Sequence, residues 1–67
     1  MNDEIRAALI LRYRAAMAEA EANIQVYLRH PAGIGEHSDI LEAIEVELKV
    51  IAEYDDQIEV LTKYFTR

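Results

Sequence analysis

Apolar residues recur in two stretches of the chain at alternating three- and four-residue steps, the spacing of a helical seam. In the first stretch they are Ile10, Tyr13, Met17, Ala20, Ile24 and Tyr27. In the second they are Ile40, Ile44, Ile51, Tyr54, Ile58, Leu61 and Phe65, with Glu47 as the one polar member of the row. Leu41 and Leu48 are expected to widen that second seam toward one side. The helix breakers Pro31, Gly33 and Gly35 fall together between the two stretches. Ala, Glu, Leu, Ile and Arg dominate elsewhere, all compatible with long helices. The pattern predicts an all-α, antiparallel two-helix hairpin occupying residues 1–67 as one domain. Helix 1 is placed at about 3–29, the loop at about 30–37 and helix 2 at about 38–66. A short loop folds the helices back on each other, and the two seams meet in coiled-coil fashion at a shallow angle of about 20°.

Local signals agree with this division. Asn2 is a candidate cap for the first helix, and Asp3 and Glu4 suit the positive end of its dipole. Arg29 and His30 sit at its negative end. Pro31 disfavours helix geometry in the residue before it, and Gly33 is free to take a left-handed conformation. Ser38 or Asp39 is the candidate cap for the second helix, with Glu42 three residues after Asp39 in capping-box spacing. Lys63 and Arg67 favour its C-terminal end.

Each helix carries a second apolar stripe. On helix 1 it comprises Ala8, Leu11, Ala15, Ala18, Ala22 and Val26, about 160° round from the first at 100° per residue. On helix 2 it comprises Val46, Val50, Val60 and Tyr64, interrupted by Glu53 and Gln57. A two-helix hairpin buries one stripe per helix, so these residues are candidates for an interface. The plainer reading is that alanine is a good helix former on a solvated face. Interruption-free continuity from Ala8 to Val26 favours the interface.

Size supports the same expectation. The chain has 67 residues and no cysteine, so disulfides and thiolate metal centres are absent. A core this small contributes only about 3–5 kcal/mol, and such chains are commonly stabilised by a partner. At 52% hydrophobic and 30% charged, the composition is that of a folding chain. Self-association into a four-helix bundle, most simply a homodimer, is the expected solution.

Charge narrows the partners. The net charge is −6. Four acids balance four arginines up to Arg29, whereas nine acids face three bases from Glu36 onward. Nucleic acid and anionic membrane surfaces are therefore not expected partners. A basic protein surface is a candidate. No apolar run is long enough to span a bilayer. Met1-Asn2-Asp3-Glu4 lacks the basic region of a secretory signal, so a soluble, cytoplasmic location is expected.

One polar residue stands out on the expected core side. Asp55 lies between Ile51 and Ile58, and with a turn near Ile34 the arginines Arg12 and Arg14 come level with it. The expectation is a register-setting ion pair between one of these arginines and Asp55. A catalytic carboxylate or an Asp55 that reaches solvent at the bundle edge are the alternatives. Arg6, Arg12 and Arg14 are expected to pair with acids within the protein or between subunits, and not with nucleic acid.

Candidate chemistry is sparse. His30, Glu36, His37 and Asp39 carry metal-ligand types in or beside the loop. Their plainer roles are contacts at helix ends, and no metal or cofactor is expected. Ser38 has no accompanying triad. Gly33-Ile34-Gly35 lacks the Lys-Ser/Thr ending of a phosphate loop. Two long helices offer few concave places for a substrate. An enzyme is not expected. Ile34 is placed to plug the end of the hairpin core or to contact a partner.

The run His30-Pro31-Ala32-Gly33-Ile34-Gly35-Glu36-His37-Ser38-Asp39-Ile40, followed by Glu42-Ala43-Ile44-Glu45, resembles a turn in small uncharacterised helical-hairpin proteins of marine phages, among them phages of cyanobacteria. Those proteins often read Pro-x-Gly-Ile-Gly-Glu-His-Pro-Asp before an acidic helix containing Ile-Ala-Glu. Ile51-Ala52-Glu53 and Ile58-Glu59-Val60-Leu61 are similar to the later parts of that helix. Ser38 stands where proline is common. The likeness spans about residues 30–61 and leaves helix 1 without a recognised motif. It implies a phage-encoded accessory or virion protein, placed in the host cytoplasm or the particle, with no assigned activity. The resulting expectation is a non-enzymatic assembly or adaptor module, with an acidic regulator of a basic enzyme surface as the alternative.

Overall fold

In the computed structural model, residues 1–29 and 39–66 are described, and they form two α-helices packed on each other. Helix α1 spans Asp3–Arg29 and α2 spans Ile40–Tyr64. The expectations attached to His30, Pro31, Gly33, Ile34, Gly35, Glu36, His37, Ser38 and Arg67 lie outside the described residues.

Each helix starts on a side-chain cap. Asn2 Oδ1 accepts from the backbone N–H of Glu4 at 2.7 Å and of Ile5 at 3.2 Å. Its carbonyl accepts the Arg6 N–H at 3.0 Å, which opens the helical ladder. At α2, Asp39 takes extended geometry and its Oδ1 accepts from the Glu42 N–H at 3.2 Å. Of the two candidate caps, Asp39 therefore does the work, and α2 begins at Ile40. These bonds satisfy donors that no intrahelical carbonyl reaches.

The helices run antiparallel. Arg6, near the start of α1, reaches Phe65 at the end of α2, while Tyr13 stacks on Tyr54 further in. The seam residues Ile10, Tyr13, Met17, Ala20, Ile24 and Tyr27 are half-buried or buried, as are Ile40 through Leu61 of the second seam. Glu47 is half-buried within it. Phe65, expected in the seam, stays exposed as the C-cap residue of α2.

The expectation about the flank of α2 needs correction. Leu41 and Leu48 do not widen the seam; both are exposed, Leu41 to 75%. The half-buried neighbours of the seam are instead Ala43, Val50 and Gln57, on its other side. The physical reason is rotation of α2 about its own axis, in which Tyr54 lies flat on Tyr13, with ring centroids 5.0 Å apart and planes 13° from parallel. That turns the Val50 flank inward and carries Leu41, Leu48 and Asp55 outward. Stacking of two such rings contributes roughly 0.5–1.5 kcal/mol beyond area burial.

The interior is thin. Among the described residues only Ala20 and Leu61 are buried outright, at 2% and 8% exposure. The molecule measures 50 × 15 × 12 Å with a radius of gyration of 15.2 Å. A compact domain of this length would have a radius of about 11 Å. Two helices can shield only the strip along which they touch.

Candidate interaction surface

The apolar groups left outside that strip define the surface. On α1, the residues Ala8, Leu11, Ala15, Ala18, Ala22 and Val26 are all exposed, with Leu11 at 68%. At 100° per residue their mean direction lies about 165° from that of the buried seam, so they look directly away from α2. On α2 the picture differs. Val46, Val60 and Tyr64 are exposed, but Val50 is half-buried against α1. These residues flank the seam at about 105° instead of opposing it. Leu41 and Leu48 form a second exposed flank on the other side.

Total accessible area gives this surface a scale. The chain exposes 5236 Å². A folded monomer of its mass is expected to expose about 4,300 Å². The excess is comparable to the roughly 800 Å² that each partner contributes to a standard protein interface.

Charged groups divide into those used internally and those left outward. Arg6 is used: its guanidinium Nη1 donates to the Phe65 carbonyl at 3.1 Å and lies 3.1 Å from Asp3 Oδ1. A cation is favourable at this end of α2, where the helix dipole is negative and the last carbonyls lack intrahelical donors. The sequence signal available for this contact was only the chain arithmetic of a hairpin, which brings the first turn of α1 beside the last turn of α2. Lys63 Nζ lies 5.4 Å from the centroid of the Tyr64 ring, a contact of neighbours on the surface.

The expected ion pair in the core is absent. Asp55, Arg12 and Arg14 are all exposed, and Arg6–Asp3 is the only ion pair among the described residues. Asp55 sits on the flank that rotation of α2 carried into water, so its carboxylate is solvated and needs no buried partner. The alternative in which Asp55 reaches solvent is the one observed.

Between the helices, Ala16 and Ala20 of α1 leave a shallow groove of about 300 Å³, bordered by Glu19, Asn23, Glu47, Val50, Glu53 and Tyr54. Small side chains on α1 create the concavity, and Glu47 lies half-buried in it. No three carboxylates or imidazoles converge on a point fit for a metal ion among the described residues. The groove is open and bordered by Glu19, Glu47 and Glu53, so it presents a negative edge. No helix among the described residues is long and apolar enough to cross a membrane.

Compared with known protein families, with curated proteins and with solved structures, the chain matches none. Its surface chemistry is therefore read directly from its own residues.

Proposed function

We propose that this protein is a non-enzymatic, self-associating helical hairpin that serves as an assembly or adaptor module. The observation carrying this reading is the exposed apolar surface of the single hairpin. Leu11, Val26, Leu41, Val46, Leu48 and Tyr64 are all at least half exposed, while only two of the described residues are buried. Covering such surface stabilises by roughly 25 cal/mol per Å² of apolar area, a large increment for a chain with so thin a core. A homodimer, bringing four helices together, is the smallest assembly that covers part of it, the α1 face that carries Leu11 and Val26. The turn resemblance described above supports a setting as a phage accessory protein in the host cytoplasm or the virion.

Absolute mass by light scattering behind a sizing column, at low and high salt, tests the reading. A dimer or tetramer that persists in both conditions is expected, because apolar contacts are not screened by salt. A folded monomer at about 100 µM, well above the micromolar range of modest complexes, would sink it.

A second reading rests on a separate observation. The acids Glu42, Glu45, Glu53, Asp55, Asp56 and Glu59 of α2 are all exposed. They form a negative surface suited to a basic face on another protein. Binding of that kind weakens steeply with salt, which distinguishes it from self-association in the same experiment repeated with a candidate partner.

A further inference from the structure

Resting on the self-association reading, we propose that the homodimer forms through α1 alone, packed antiparallel on α1 of a second copy and centred between Ala16 and Met17. Three observations carry the assignment. The first is the direction of the stripe Ala8–Val26, which faces away from α2 and so remains wholly available. Its small side chains permit helix axes to approach to about 8 Å, the short end of the packing range.

The second is charge. Of the eight charged residues on α1, Asp3 and Arg6 pair with each other. The other six are Glu4, Arg12, Arg14, Glu19, Glu21 and Arg29, all exposed. None of them has an opposite charge three or four residues away on its own helix. Glu4 and Arg29 lie on the line of the stripe, at its two ends. Arg12 and Glu19 lie along one edge, and Arg14 and Glu21 along the other.

Now let a second α1 be placed antiparallel by a twofold axis at the centre of the stripe. Such an axis sets each edge against the same edge of the other copy, running the opposite way. Leu11 comes level with Ala22 of the second copy, and Ala15 with its Ala18. Arg12 then falls beside Glu19 and Arg14 beside Glu21, within about one helical turn. Glu4 falls opposite Arg29. Every one of the six charges meets its opposite, and symmetry doubles each pair.

Parallel pairing gives the reverse. Each edge then meets the other edge at the same level, so Arg12 faces Arg14 and Glu19 faces Glu21, while Glu4 and Arg29 each face their own copies. Like charges held together in this way disfavour that arrangement.

The third observation is area, since the excess exposed by the single chain matches one standard interface side. The four helices then lie side by side in one layer in the order α2, α1, α1, α2, instead of closing into a square bundle. A square bundle needs the second apolar face about 90° from the first on every helix, and α1 presents it at about 165°.

Two measurements test this. In the first, Gln25→Cys is spin-labelled in the otherwise cysteine-free chain. Antiparallel pairing sets the two labels about 17 residues apart along the axis, so a distance beyond about 25 Å is expected. A distance under about 20 Å overturns the antiparallel arrangement while leaving self-association intact. A monomer in the light-scattering experiment overturns both. In the second, Arg12→Glu is expected to raise the dimer dissociation constant roughly tenfold at low salt, because two symmetric attractions become repulsions. Adding Glu19→Arg is expected to restore it to within about threefold. A double variant no tighter than the single overturns the register. Both positions are exposed, so unchanged helicity by circular dichroism confirms that the hairpin itself survives.

Discussion

The two helices solve the same problem differently. Helix α2 concentrates its apolar residues in one seam and its flanks, and turns an acidic back to water. Helix α1 is apolar on two opposite faces, with alanine supplying most of the outer one. Alanine occurs on both faces of α1, and the contrast between them is instructive. Ala20 is 2% exposed because it lies on the face of α1 that packs against α2. Ala15, Ala18 and Ala22 are exposed in the single chain. The same residue type therefore reports tight packing at one position and an unoccupied surface at another. The difference lies in what stands opposite, which composition does not record.

The sharpest way to break the contrast is at its buried side. Leu61→Ala removes the most deeply buried large side chain among the described residues and is expected to cost about 2–4 kcal/mol, read as a fall in the urea midpoint. A loss under about 1 kcal/mol would mean the seam is not the core. Ala20→Leu overpacks the seam and is expected to cost about 1–3 kcal/mol. Ala18→Leu, two residues earlier but on the outer face, is expected to change hairpin helicity little while weakening self-association. If the two alanine variants behaved alike, the distinction between the faces would fail. Asn2→Ala is expected to cost about 1 kcal/mol by leaving the first N–H groups of α1 without their acceptor; thermal melts would show it. Asp55→Asn is expected to move stability by no more than about 0.5 kcal/mol, since the carboxylate is solvated. A larger loss would restore Asp55 to a core role that its exposure denies.

Under the proposed self-association these readouts depend on concentration. If only the folded hairpin pairs, the melting temperature rises with protein concentration. Melts over a hundredfold range of concentration provide a check that needs no substitution, and a constant midpoint would count against pairing.

Two long helices, their antiparallel packing and the residues of both seams except Phe65 were legible in the chain, and for definite reasons. Ala, Leu, Glu and Arg favour helix locally, the breakers cluster at one point, and steps of three and four place side chains on one face whatever the partner. The caps at Asn2 and Asp39 were legible because their chemistry is local. The alanine stripe was visible too, as a pattern. Its exposure required the fold.

Only the tertiary structure decided which flank of α2 turns inward. Leu41 and Leu48 are more hydrophobic than Ala43 and Gln57, so a reading by residue type favours them. Helix α2 is instead rotated so that Tyr54 lies flat on Tyr13, and Leu41, Leu48 and Asp55 go to the solvent together. The partner of Arg6 was likewise decided by the fold, which brings the first turn of α1 against the open carbonyls at the end of α2. Periodicity determines which residues share a face of one helix. It leaves free the rotation of that helix against its neighbour, because the rotation depends on how particular side chains from two distant parts of the chain fit together.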